Sequence, residues 1–296
     1  MSTLRLPAAQ KISGISLVIA AARRIKHLYP LYLAAIVVSL VFNFIMELSR
    51  GRDFLAVMPS SRDLVYHLLL IHTLSADTFF GIVPALWFIG VLAHLIFLYP
   101  VFHWMSRLWG GGGATVASYV VSTACLAFAS TLDEGSGLLL KMNALGRWFE
   151  WCVGAYIADL ISRQVRPKPL ALGISSSGLI ALCLAPQHGV LGLQVGVVSM
   201  AVVLWALVGA TQGYSAPGFV TWFIPLSGLT YGVYLMHQIF LPRIGALLSG
   251  FRGYPLMYWA LCVILCLGIT IVAAWTVSRT IDQRPKAVHN RGSASA

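Results

Sequence analysis

His94, Glu150 and His237 stand inside apolar stretches of this sequence. An ionisable group is costly in hydrocarbon, so each needs a partner or a function. A neutral imidazole can take a proton from a hydroxyl, which makes His237 and His94 candidate general bases. The other reading of each is a packing histidine; for His237 the tie would run to Gln238 or a neighbouring helix. Glu150 has Arg147 three residues earlier on the same helix face. That pair is either a local ion pair that lowers the cost of insertion or the lining of a polar site.

Arg23, Arg24, Lys26 and His27 cluster just ahead of an apolar run that begins at Leu28. Cations beside a helix N-terminus suit phosphate groups, and they equally suit a topology anchor at a cytoplasmic membrane face. Tyr231 and Tyr234 are three apart, and Tyr234 shares a helix face with His237; they line a substrate or pack as ordinary aromatics. Trp87 lies at a span end, where belt and site roles coincide. His67 and His72 are five apart, a spacing that does not stack them on one helix face, and they read as interfacial residues. No metal site is expected. The five cysteines, Cys262 and Cys266 included, lie in apolar segments with no CxxC pair and no histidine at metal spacing. The glycine run Gly110 to Gly113 lacks the lysine of a phosphate loop and reads as a flexible turn.

The elements that position these residues must be membrane helices. Of 296 residues, 58% are hydrophobic and 10% charged, against norms of about 45–50% and 25% for soluble domains. Disordered, collagen-like and small disulfide-rich chains are excluded by the same numbers. The formal net charge of +11 is assigned to cytoplasmic loops by the positive-inside rule, and not to nucleic-acid binding. Leu28 to Met46 makes a helix of about 28 Å, matching the hydrocarbon core. Further spans are expected at Ala85 to Met105, Ala114 to Ser130, Asn143 to Ile161, Pro169 to Ala185, Val190 to Ala210, Pro225 to Leu248 and Leu256 to Val277. The stretch Leu64 to Leu74 is too short to cross. With eight spans most of the 20 lysines and arginines fall on one side, whereas a ninth crossing there would even them out. The expectation is an all-α, polytopic transmembrane helical bundle of about eight spans with both termini cytoplasmic. No signal peptide is read at the start, because Ile12 to Ala22 runs into Arg23 and Arg24 without a cleavage pattern.

Four separated stretches resemble the bacterial acyltransferase 3 family, the integral-membrane enzymes that acylate surface polysaccharides and related sugars. Arg23-Arg24-Ile25-Lys26-His27-Leu28-Tyr29-Pro30-Leu31-Tyr32 is similar to the family's RRxxRxxPxY segment, with His27 where a third arginine is usual. Leu86-Trp87-Phe88-Ile89, running on to Tyr99-Pro100, resembles its W-to-P segment, with Leu92 where many members have glutamate. Leu229-Thr230-Tyr231-Gly232-Val233-Tyr234-Leu235-Met236-His237-Gln238 is close to its SYxxYLxHQ helix and is the most specific of the four. Ile281-Asp282-Gln283-Arg284-Pro285 resembles its IExP ending. The family's two leading helices, the first carrying the histidine regarded as catalytic, have no counterpart in these residues.

The resemblance covers residues 23–285 of a single membrane domain, 1–296, flanked by an N-terminal segment, 1–22, and a basic, polar tail, 286–296. It implies an acyltransferase with no permanently bound cofactor, using acyl-CoA (acetyl-CoA) as co-substrate at Arg23, Arg24, Lys26 and His27. The acceptor would be a carbohydrate or lipid-linked glycan hydroxyl, lined by Trp87, Tyr231 and Tyr234, with His237, Glu150 and His94 as candidate catalytic groups. The implied location is the bacterial inner membrane, with the lipid bilayer as partner and no nucleic acid. Two rival readings stay open: a non-catalytic relative, on account of the missing helices and Leu92, and a sugar or lipid transporter. Paired, interrupted helices in matching halves would favour the transporter, and none is seen.

Overall fold

The computed structural model describes residues 14–49, 51, 58–184, 190–211 and 229–282. Where no water is at hand, a backbone must close its own hydrogen bonds. Every regular element among the described residues is accordingly a helix. In chain order these are α1 (Gly14–Ser49), α2 (Ser61–Leu68), α3 (Trp87–Ala129), α4 (Glu134–Met142), α5 (Trp148–Ser162), α6 (Pro169–Leu184), α7 (Val190–Thr211), α8 (Thr230–Leu247) and α9 (Pro255–Asp282). Three stretches, Ser16–Ser49, Pro84–Ala129 and Pro255–Val277, are long and apolar enough to cross a bilayer.

The chain divides into two compact units. The first takes the described residues of Met1–Ile25, Thr73–Ala76 and Gly90–Ser215, and the second those of Lys26–His72, Asp77–Ile89 and Ala216–Ala296. In the first unit α7 packs on α5 and α6. Two polar side chains pair within this apolar bundle: Thr123 Oγ1 and the Gln194 carboxamide meet at 2.9 and 3.2 Å. The Ser122 hydroxyl donates to the Leu145 carbonyl at 2.8 Å and accepts the Phe149 N–H at 3.0 Å, so one side chain satisfies an orphan donor at the start of α5.

An unbroken α3 would measure about 64 Å, twice the hydrocarbon thickness. It breaks at Gly110, where φ is 72° and ψ 165°, a backbone conformation open in practice to glycine alone. The contacts of α5 show that the two arms fold back on each other. Trp151 meets Tyr99 and Phe102 of the first arm, Phe149 meets Tyr119 of the second, and Tyr156 lies against Gly111 at the bend. The expected turn at Gly110 to Gly113 is therefore present, as a one-residue reversal. A Cβ at Gly110 would touch nothing within 4 Å, so the penalty for Gly110→Ala is conformational, about 1–3 kcal/mol. A lowered thermal midpoint of the detergent-purified protein is expected, and an unchanged one would rule out the strained backbone at this bend.

In the second unit α8 packs along α9. The stretch Leu64 to Leu74 does not form one helix. It is α2, a turn, and a short 3-10 helix at His72–Leu74. The turn is a Schellman closure: Leu70 N–H bonds His67 O and Ile71 N–H bonds Tyr66 O, both at 2.9 Å, with Leu70 at φ 59°.

Candidate active site

In the second unit, two of the motif-like stretches separated by some 140 residues come together. The Tyr234 hydroxyl donates to the Ala85 carbonyl at 3.1 Å, and its ring meets Phe88 edge-on at 5.3 Å. Tyr231 reaches the other way and donates to the Leu28 carbonyl at 3.3 Å, beside Lys26 and His27. Both tyrosine hydroxyls are thus bound to main-chain carbonyls, which gives them a positioning role within this unit. Trp87 heads α3 and stacks on Phe79 at 6.0 Å and 20°.

His237 sits one helical turn beyond Tyr234, half-buried, with its Nδ1–H donated to the Tyr234 carbonyl at 2.5 Å. That bond fixes the tautomer and leaves the Nε2 lone pair as the acceptor, the form a general base requires. The expected tie to the Gln238 side chain is not what holds it. Behind it, the Cys266 thiol lies 3.7 Å from the His237 carbonyl, so Cys262 and Cys266 act in packing α9 on α8.

The other expected site residues fall differently. Arg23 and Arg24 belong to the first unit and Lys26 and His27 to the second, all four exposed. They do not precede a helix: α1 begins at Gly14, so their backbone N–H groups lie within the helix and cannot serve an anion. Any anion site there must be built from side chains. Pro30 within α1 removes the N–H that the Lys26 carbonyl would take. Glu150 is likewise not deep in a span. Asn143 to Arg147 are non-helical, which puts Glu150 in the first turn of α5, part-exposed, with Arg147 at 2.6 Å. A carboxylate at a helix N-terminus is electrostatically favoured, so this pair needs no site role to explain it. His94 lies about two turns into α3, and its Nδ1 is 3.4 Å from Thr73 Oγ1, within the first unit.

His67 and His72 are not interfacial. Both are fully buried and their rings stack at 4.0 Å and 9°. Their five-residue spacing fails only on a continuous helix, and the Schellman turn between them reverses the chain. His67 donates Nδ1–H to the Asp63 carbonyl at 2.8 Å, and His72 donates Nε2–H to the Leu86 carbonyl at 3.2 Å. Tyr32, also fully buried, donates to the His67 carbonyl at 3.0 Å. The pair thereby ties α1, α2 and the lead into α3 together. Burial pushes the His67 imidazole below its ordinary pKa, against a smaller opposing pull from the Asp63 carbonyl and carboxylate.

No cluster of three or more metal-ligating side chains occurs among the described residues. Of the IExP-like ending, Gln283 onward lies outside the described residues. Neither curated proteins nor solved structures yield a match to this chain. The family model for an acyltransferase domain, that of the acyltransferase 3 type, matches residues 10–277, across both units, and the chain belongs to that family.

Proposed function

We propose that this membrane acyltransferase moves a short acyl group, acetyl in the simplest case, from acyl-CoA to a carbohydrate hydroxyl in a cell-envelope polysaccharide or lipid-linked glycan. The observation that carries the reading is the meeting of the Ala85 to Phe88 and Tyr231 to His237 stretches, which presents a tautomer-fixed His237. In the transfer, His237 Nε2 takes the acceptor's O–H proton as that oxygen attacks the thioester carbonyl carbon. The C–S bond then breaks, and the proton passes from His237 to the departing thiolate, so an ester and a free thiol result. Arg23, Arg24, Lys26 and His27 hold the coenzyme A phosphates through their side chains. Trp87, Tyr231 and Tyr234 shape the acceptor side in this reading.

We read residues 1–296 as one membrane domain of eight spans in a bacterial inner membrane, with both termini cytoplasmic. The break at Gly110 supports the count by dividing α3 into two bilayer-length arms, and the single family match across both units supports one domain. Cells fed labelled acetate are expected to carry base-labile label on an envelope glycan only when the gene is present; equal labelling after deletion would overturn the assignment. Charge-assisted hydrogen bonds are worth about 1.5–3 kcal/mol each. Replacing Arg23 and Arg24 together by glutamine should therefore raise the half-saturating acyl-CoA at least roughly tenfold, and an unchanged value would remove the cluster from donor binding.

A further inference from the structure

A pocket of about 610 Å³ opens in the second unit between the C-terminal turns of α1, residues 82–84 and the second half of α8. Small-molecule sites occupy about 300–1,000 Å³. Along α1, Ser39, Asn43 and Glu47 recur at four-residue intervals and so form one polar stripe on a helix that is otherwise apolar here. The stripe faces inward: Ser39 is 2% and Glu47 8% exposed, and all three residues line the pocket. Gln238 and Arg243 line it from α8. The Arg243 guanidinium donates to Asn43 Oδ1 and to the Ile239 carbonyl, and lies 4.9 Å over the Phe42 ring.

The chemistry of these groups selects a ligand class. A carboxylate and a guanidinium share the pocket, so their fields oppose and neither a phosphate-rich nor a cationic ligand is favoured. Asn43 Oδ1 is occupied by Arg243, which leaves the Asn43 amide N–H groups to donate. The Gln238 side chain has no hydrogen-bond partner among the described residues and offers a donor and an acceptor. Pro242, also in the lining, cannot supply the N–H that the Gln238 carbonyl would accept in an unbroken helix. Alternating donors and acceptors around a neutral centre are what vicinal hydroxyls need, since each hydroxyl both gives and takes a hydrogen bond.

We propose that this pocket seats the acceptor, a neutral, hydroxyl-rich sugar unit, with Asn43, Gln238 and Arg243 determining its specificity. The assignment rests on the acyl-transfer reading above. The test uses membranes carrying the full chain, labelled acetyl-CoA, and base-deacylated envelope glycan from the source cell, separated into soluble and lipid-linked fractions. Gln238→Leu and Asn43→Leu are each expected to raise the half-saturating glycan at least tenfold while the half-saturating acetyl-CoA stays within twofold. No change for the glycan, or an equal shift in both, overturns the pocket. Should the leucine variants fail to fold, Gln238→Glu keeps the shape, removes the amide donor and is expected to shift the glycan value in the same direction. The fraction that saturates wild type distinguishes a soluble acceptor from a lipid-linked one. If wild type transfers no label, the acyl-transfer reading fails. The pocket is then judged by saturation-transfer NMR of the same glycan fractions on the purified chain. A signal lost in Gln238→Leu upholds it, and no wild-type signal, or one equal in the variant, overturns it.

Discussion

Gly232→Leu is expected to lower the thermal midpoint of the detergent-purified protein by about 6–12 °C, from a loss of about 3 kcal/mol. Gly232 is buried where α8 crosses α9, and a Cβ there would lie 2.8 Å from the Ala274 Cβ and 3.4 Å from both the Ala274 Cα and Leu31 Cδ2. Ala274 is itself fully buried. Small residues on both sides let the two backbones approach, which is how helices associate where lipid removes the hydrophobic drive. A leucine side chain cannot escape sideways against a methyl and a main-chain carbon, so the helices must part. Overall stability is commonly about 5–15 kcal/mol, so this is a large share of it. Gly232→Ala should fall between, because one methyl needs a shift of only several tenths of an ångström. Heating followed by size-exclusion chromatography reads the midpoint, and equal values for glycine and leucine would mean that α8 and α9 do not meet at this position. Gly232 stands between Tyr231 and Tyr234, so the same change should disturb the anchors on the Leu28 and Ala85 carbonyls.

His72→Ala is expected to cost about 3–5 kcal/mol. It removes a fully buried ring stacked on His67, and it leaves the Leu86 carbonyl without the imidazole donor it now has at 3.2 Å. His72→Phe restores the ring without the hydrogen bond and should recover most of that loss. His67 adds a pH dependence whose sign follows from burial. Its native pKa lies below the ordinary value of 6.5, so the unfolded chain binds the proton more readily than the folded one. Stability is therefore fully present above about 6.5 and declines as pH falls from there toward the lowered native value. Thermal midpoints measured from pH 8 to pH 5 should fall at the acid end, and His67→Gln should flatten that slope. A midpoint that rises on acidification would show that the pair is charged in the folded state.

The membrane class and the helical architecture were legible in composition and run length, because hydrocarbon leaves a long apolar segment one backbone solution, the helix. The termini of α6, α7 and α9 lie within about one residue of the expected spans except where α9 continues past Val277 to Asp282. The family was legible too, since motif residues are contiguous in sequence. Less visible was the start of α5: Asn143 holds the Gly146 N–H at 2.9 Å in a local turn that competes with helix. That turn moved Glu150 from a presumed interior position to a first helical turn. The basic cluster moved the other way, into the body of α1, because Ala20 to Ala22, Arg23, Arg24 and Lys26 are strong helix formers and no proline or glycine interrupts the run between Gly14 and Pro30.

What residue order determined by itself was the apolar, helical class of the chain and the family it belongs to, because both depend on local composition and short spacing. Tertiary structure decided which of those residues meet. The stacking of His67 on His72 hangs on a left-handed turn at Leu70, a residue type with no propensity for it, held by packing around it. The polar stripe Ser39, Asn43, Glu47 has a visible four-residue period, yet only the arrival of Gln238 and Arg243 from about 200 residues away makes it a pocket. Helical periodicity names a face but not its partner, and the partner is set by long-range packing that no local signal encodes.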